Sequence, residues 1–200
     1  MRLARGAVQW ILLSLVPPAV AFVFWFEAGV VLLLLPLLVV VFFRDPERSP
    51  EGDGVVSPAD GRVSVLRQEN GKLRLGIFMN IYNVHVNRAP VSGKVTELEH
   101  EGGSHWPAFT KSSDANESLT TRIRTQDSDF KVVQIAGTLA RRITPYIEDG
   151  QGIKRGERMG IIAFSSRVDV VFPESYSSED IKVEKGDSVR AGETVIAHEQ

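Results

Sequence analysis

The sequence predicts a mainly β domain with an internal pseudo-repeat, preceded by an N-terminal hydrophobic helical hairpin. Three observations predict it. Up to Phe43 the ionisable side chains are Arg2, Arg5 and Glu27, whereas from Arg44 onward charged residues recur every few positions. The second part breaks into short Val/Ile-rich runs separated by Gly, Pro, Asn and Asp, as strands and turns do. Two phrases in that part each occur twice. The expected division is residues 1–43 for the hairpin and 44–200 for the polar domain.

Residues 7–26 form an apolar run that, at about 1.5 Å of rise per residue, is long enough as a helix to cross a hydrocarbon core of roughly 30 Å. Residues 28–43 form a second, shorter run, and Glu27-Ala28-Gly29 has the polarity and flexibility of a turn between them. Arg2 and Arg5 precede the pair and Arg44 and Arg48 follow it. The positive-inside bias therefore puts both flanks, and the polar domain, on the cytoplasmic side of the cell membrane. Arg44 and Arg48 also suit an anionic lipid surface, and equally suit helix-end anchors. Pro17, Pro18 and Pro36 are expected to kink the helices, which keeps a re-entrant hairpin open beside a full span. A cleavable signal peptide fits less well, because the apolar stretch runs past signal length with no small-x-small site before a polar start.

In the polar domain, strands are expected at 63–66, 73–78, 91–98, 118–125, 130–136, 158–164 and 168–172, with short helical turns around 106–113 and 138–143. Ser57-Pro58-Ala59-Asp60-Gly61-Arg62-Val63 is echoed by Ala89-Pro90-Val91-Ser92-Gly93-Lys94-Val95. Arg155-Gly156-Glu157 is echoed by Ala191-Gly192-Glu193, each leading into an apolar run. Such doubling suggests two intertwined hairpin layers closing on each other in a barrel-sandwich, lipoyl-like domain, a closure that also protects sheet edges.

Composition removes several function classes. A net charge of −2 and the lack of a basic stripe argue against a nucleic-acid partner. With no cysteine, thiolate metal sites, disulfides and cysteine nucleophiles are excluded, and no histidine spacing suggests a metal site. Of the four histidines, His85 is the best placed. It lies in the strand-like segment 82–90 among Asn83, Asn87 and Arg88, on the face opposite Val84 and Val86. A lone strand histidine is more often structural, and Asp60-Gly61 is by pattern a turn pair. Phe164-Ser165-Ser166-Arg167 interrupts an apolar stretch with two hydroxyls, which a bulge or turn also explains. It lacks the Gly-x-Ser-x-Gly pattern of serine hydrolases.

Taken together these residues resemble the phosphatidylserine decarboxylase family, in particular its short bacterial and archaeal branch. The likeness runs through the hydrophobic hairpin, Phe43-Arg44-Asp45-Pro46, Ser57-Pro58-Ala59-Asp60-Gly61, His85-Val86-Asn87-Arg88-Ala89-Pro90, Asn116-Glu117, Gln134-Ile135-Ala136-Gly137 with Ala140-Arg141-Arg142-Ile143, and Gly156-Glu157-Arg158 leading into Ser165-Ser166-Arg167-Val168-Asp169. The resemblance implies self-cleavage between Ser165 and Ser166. It also implies conversion of Ser166 into a covalent pyruvoyl cofactor, whose carbonyl forms a Schiff base with the amine of a phospholipid serine head group. His85 is implied as proton carrier and Asp60 as the group that orients or charges it; Arg88 stands where related enzymes carry a second histidine. The implied partners are the membrane, the lipid substrate, and the two cleaved chains paired as a heterodimer that can assemble further. The chain departs from the family in carrying Ser165 where glycine is usual, at a step that needs close approach of hydroxyl and carbonyl. The competing reading is a membrane-tethered, non-catalytic lipoyl-like binding module, for which Lys94 and Lys185 are the nearest modifiable lysines, or else a processing-defective homologue. Trp106, Pro107 and Phe109 suit a lipid groove or an ordinary packed loop.

Overall fold

The computed structural model describes residues 2–103, 116–137, 143–163 and 166–199. The chain divides into two compact units, Met1–Glu47 and Arg48–Gln200. The expected helical turn around 106–113 and most of that around 138–143 lie outside the described residues. So do Ser165, His105, Trp106, Pro107 and Phe109.

In the first unit, β1 (Arg2–Leu3) pairs antiparallel with β2 (Arg44–Asp45) and closes the open end of a helical hairpin. Its limbs are α1 (Ala7–Ser14) with α2 (Val16–Phe24), and α3 (Phe26–Leu32) with α4 (Leu34–Phe42). Helix α2 packs on α3, and α1 on α4. The breaks within each limb follow from the prolines. Pro17 and Pro18 cannot donate to the carbonyls of Leu13 and Ser14, nor Pro36 to that of Leu32, and α1 and α3 end at Ser14 and Leu32. The reversal is at Trp25, whose backbone is extended (φ −148°, ψ 98°), rather than at the expected Glu27-Ala28-Gly29. Glu27 instead occupies the first turn of α3, where a negative charge meets the positive end of the helix dipole. Gly29 serves packing: a Cβ there would lie 2.6 Å from the Phe22 ring.

Apart from Ile81 and Tyr82, every exposed large hydrophobic side chain among the described residues falls between Leu3 and Val41. The stretch Ala7–Phe24 is long and apolar enough to cross a membrane; Phe26–Phe42 is shorter. The first unit therefore presents the surface that a lipid solvent accommodates.

The second unit is mainly β. A curled sheet has the order β11 (Gly152–Ile153), β7 (Gly93–Glu101), β8 (Ser118–Arg124), β9 (Asp129–Ala136), β13 (Ser166–Val171), β5 (Lys72–Met79), β4 (Gly61–Glu69) and β14 (Ser188–Val189). A small sheet joins β10 (Ile143–Pro145), β12 (Arg158–Ile162) and β6 (Val86–Arg88), and β15 (Val195–Ala197) pairs with β3 (Val55–Val56). The β4–β5 hairpin turns at Asn70-Gly71, both at positive φ (52° and 77°), as a two-residue type I′ loop demands. Inward-facing Leu75, Ile77 and Met79 of β5, Val132 of β9, and Val168 and Val170 of β13 form the core. Phe130, Phe172 and Tyr176 pack edge-on or tilted at 5.2–6.0 Å between centroids.

Strands β4 and β7 begin in matching ways. Val63 donates to Asp187 and accepts from Gly186, while Val95 donates to Gln151 and accepts from Gly150. Ser57 exchanges bonds with Thr194 and Gly192, and Ala89 with Glu157 and Gly156. Gly61 and Gly93 each bring their backbone against a carbonyl, of Phe78 and Arg124 respectively.

At Gly93 a Cβ would also lie 2.9 Å from the Ile123 side chain, whereas at Gly152, on the neighbouring strand, it would enter open space. Gly93→Ala is therefore expected to destabilise the domain by about 1–3 kcal/mol, and Gly152→Ala to change it by roughly 0.5 kcal/mol or less. Thermal unfolding of the two full-length variants checks the contrast.

Candidate active site

Ser166 is the first residue of β13, in register with Met79 of β5 on one side and Ala136 of β9 on the other. From Ser166 onward the chain is a regular strand, and Phe164 and Ser165, where a bulge or turn is the alternative, lie outside the described residues. Side chains alternate across a strand, so Ser166 shares the core face with Val168 and Val170, while Arg167 and Asp169 occupy the opposite face. Ser166 is fully buried, and its Oγ has no hydrogen-bond partner among the described residues. A buried hydroxyl left without a partner costs about 1–3 kcal/mol, and such groups concentrate where chemistry requires them.

Of the expected strand-like segment 82–90 only Val86–Arg88 is a strand, so His85 stands just before it, and it is fully buried together with both its neighbours Val84 and Val86. Its Nδ1 lies 2.9 Å from the Asn83 carbonyl. A carbonyl oxygen only accepts, so Nδ1 carries the proton, and in the neutral ring Nε2 holds the lone pair. The His85 carbonyl accepts from Ile162 N at 3.4 Å. Ile162 ends β12, and the chain reaches Ser166 four residues later.

Two residues not singled out as site members tie this layer to the Ser166 strand pair. Asn87 Nδ2 contacts Met79 Sδ at 3.5 Å, and Gln134 Nε2 donates to Asn87 Oδ1 at 2.8 Å. Gln134 Oε1 is buried with no partner among the described residues. Its position was legible as a polar residue at an inward place in an otherwise apolar strand. Gly160 leaves space for it, since a Cβ there would stand 3.3 Å from Gln134 Nε2. On the other side of the register, Asn116 Nδ2 donates to the carbonyl of Ala136 at 2.7 Å.

Asp60 is buried and accepts both Arg48 guanidinium nitrogens, at 2.5 and 2.9 Å, as well as Ala191 N at 2.8 Å. Its hydrogen bonds run to Arg48 and Ala191 rather than to His85. The Arg48 side chain is only 8% exposed, so the expectation that it meets an anionic membrane surface is corrected: its charge is spent on Asp60. In the corresponding place of the second motif, Ser92 Oγ accepts from Arg155 N at 2.9 Å. Equivalent backbone donors are satisfied in the two motifs, that of Arg155 by a hydroxyl and that of Ala191 by a carboxylate whose two oxygens also accept from an arginine. Arg88 is buried and donates to the Gly156 carbonyl at 2.9 Å.

On the opposite face of β13, Arg167 makes a two-pronged bond to Asp169 at 2.8 and 3.0 Å, and Arg74 Nε lies 2.8 Å from the same carboxylate. Arg74 also binds Glu69. Gly76 makes this buried cluster possible: a Cβ there would lie 2.6 Å from Asp169 Oδ1. Among the described residues, no group of three or more His, Asp or Glu side chains could hold a metal ion. His100 pairs with Glu117 at 2.9 Å at the surface. A covalent group built from Ser166 would fit the residues present, because its buried Oγ has no hydrogen-bond partner among the described residues and stands at the head of a strand held on both edges.

The family model described as phosphatidylserine decarboxylase matches residues 35–197. A relative from Halobacterium salinarum, provisionally named an archaetidylserine decarboxylase proenzyme, is 52% identical over 200 residues, covering 98% of this chain and 99% of that one. The phosphatidylserine decarboxylase proenzyme of Streptomyces griseus is 42% identical over 203 residues, covering 98% and 93%. A provisionally named archaetidylserine decarboxylase proenzyme of Methanosarcina mazei is 46% identical over 165 residues, covering 82% and 76%. No solved structure matches the chain.

The ion pairs around the sheet set an expectation in acid. The hydrogen bond from Arg74 holds the Glu69 carboxyl below its ordinary range, and that from Arg124 does the same for Asp129. Carboxyls lowered in the folded state stabilise it above their unfolded pKa of about 4, and that contribution is lost as pH falls through the folded value. The Tm of the full chain is expected to drop between about pH 5 and pH 3. Glu69→Gln is expected to make the drop shallower, as calorimetry at stepped pH would show.

Proposed function

The chain belongs to the phosphatidylserine decarboxylase family, and from that premise we propose that it is the self-processing precursor of an enzyme that decarboxylates a serine-headed lipid. The substrate is phosphatidylserine or its ether-linked counterpart archaetidylserine. The observation that carries the reading is Ser166: a buried hydroxyl without a hydrogen-bond partner among the described residues, at the head of a strand paired on both sides.

In the proposed processing, His85 Nε2 takes the Ser166 hydroxyl proton and Oγ adds to the carbonyl carbon of residue 165. The peptide C–N bond breaks, leaving an ester and a free amine. Loss of the residue-166 α-proton then expels the residue-165 carboxylate by β-elimination. Water displaces the remaining nitrogen as ammonia and leaves the pyruvoyl group. That group supplies an electron sink for the pair released as carbon dioxide departs. His85, with its tautomer set by the Asn83 carbonyl, is the proton donor for the substrate α-carbon. Asn87 and Gln134 hold the His85 segment against the strands that flank residue 166. Asp60 is a positioning residue, tying Arg48 to the Ala191 turn.

Cleavage before Ser166 would leave residues 166–200 as a separate chain. It would keep β13 at the centre of the sheet, with β14 and β15 paired to β4 and β3, which supports a heterodimer that stays together. We read the domain as a lipoyl-like barrel-sandwich with two intertwined repeats, a reading supported by the matched bonds at Val63 and Val95 and by Asp60 and Ser92 accepting equivalent amides. Neither carrier lysine of the competing reading is specially placed: Lys94 lies within β7, and Lys185 sits in a solvent turn. The apolar helices and flanking Arg2, Arg5 and Arg44 support membrane anchoring with the domain on the cytoplasmic side.

Mass spectrometry of the purified protein is expected to show one fragment ending at Ser165 and another beginning with a blocked residue 166. Ser166→Ala is expected to remain whole and release no carbon dioxide. A wild-type chain that stays intact after long incubation would sink the reading. The double variant Arg48→Met/Asp60→Ser tests the positioning role. Removing both charges leaves none unpaired, and Ser92 shows that a hydroxyl serves the equivalent amide in the other motif. The expected outcome is a nearly unchanged Tm with self-cleavage slowed at least about tenfold, or about 1.4 kcal/mol; cleavage at the wild-type rate would make Asp60 merely structural.

A further inference from the structure

Two clefts open on the second unit, and their charges differ. The larger, about 410 Å³, is lined by Asp53, Asp127 and Glu199 against the single cation Arg155. The smaller, about 280 Å³, is lined by Asp60, Arg62, Arg190 and, from one turn, Asn80, Tyr82 and Asn83. Arg48 already neutralises Asp60 there, so the uncompensated charge is positive. Arg62 donates one hydrogen bond, to the Gly186 carbonyl, and Arg190 has a loose partner in Glu193 at 3.7 Å. Both guanidinium groups keep donors for an anion.

The lining of this cleft joins two kinds of residue. Asn83 offers the carbonyl that holds His85 Nδ1, and Asn80 follows Met79, the register partner of Ser166. Tyr82, also in the lining, and its neighbour Ile81 are 65% and 58% exposed, the only exposed large hydrophobic side chains described in this unit. The tight contact of Asn80 N with Asn83 Oδ1 at 2.8 Å shapes the segment into a turn that projects them. An aliphatic and a tyrosine side by side on a turn suit the boundary between hydrocarbon and head groups. The apolar first unit supplies the tether that keeps such a boundary at hand.

We propose that this cleft is the entry site for the lipid head group. Ile81 and Tyr82 insert at the bilayer surface, Arg62 and Arg190 take the head-group phosphate, and the serine moiety is thereby directed towards His85 and residue 166. The inference rests on the decarboxylase reading and adds where and how the substrate is met. The acidic larger cleft would repel the same phosphate.

The test uses the full-length protein and two forms of one substrate: phosphatidylserine in phosphatidylcholine vesicles, and dihexanoyl phosphatidylserine as dissolved monomer. For Ile81→Ser/Tyr82→Ser, kcat/KM on vesicles is expected to fall at least tenfold further than on the monomer, with self-cleavage reporting an intact fold. For Arg62→Gln/Arg190→Gln, KM is expected to rise at least fivefold on both forms with kcat nearly retained. Equal losses of the first variant on the two forms, or no loss by either variant, would overturn the entry site. A wild-type protein that releases carbon dioxide from neither form would instead overturn the decarboxylase reading beneath it.

Discussion

Strand β13 is hydrogen-bonded along both edges, to β5 and to β9, and Ser166 is its first residue. That double ladder is the constraint on which the rest of the second unit depends. It fixes residue 166 without help from side chains, which is why its hydroxyl can be left without a partner in a buried place. It also makes the stretch after Ser166 indispensable to the sheet, so that cutting the chain ahead of it, as proposed, need not release it.

The charges packed around the strand serve the same end. Arg167 follows Ser166 directly, and its bond to Asp169 locks the head of β13 on the face away from the core. Two cations share that carboxylate, and Gly76 gives up its side chain to admit it. A buried charged pair is seldom a gain over apolar packing, but breaking one is costly. Its value here is in holding one arrangement at the residue where chemistry is proposed. Arg48 and Asp60 make a second such pair at the beginning of the unit.

The N-terminal unit has a surface of another kind. Its exposed valines, leucines and phenylalanines would be a liability in water and are ordinary in lipid. The prolines break each limb where an amide is missing, yet α2 still packs on α3 and α1 on α4. A lipid substrate and an apolar N-terminal unit suit one physical setting, to which Ile81 and Tyr82, in the proposed role, add an apolar contribution from the polar domain.

Much of this was legible in the amino-acid order. Hydrophobic periodicity is local, so the seven longer strands and both helical limbs could be read directly, and the ordered motifs pointed to the family and to Ser166, His85 and Asp60. The reversal was misplaced because Gly29 reads equally as a turn former or as a close-packing residue, and only the position of Phe22 decides which. Strands of two residues, such as β3, β11 and β14, show no alternation to detect. The partner of Asp60 was likewise hidden: Arg48 looks like a membrane-flanking cation until the fold brings it to the carboxylate. Gln134 and Asn87 lie forty-seven positions apart and meet only when β6 lies over the sheet. The sequence by itself determined which segments form strands, which segment seeks lipid and which residues could react. Tertiary structure alone decided which charges neutralise each other and which polar groups are left free to act, because pairing between distant positions depends on register and layer packing that no local pattern encodes.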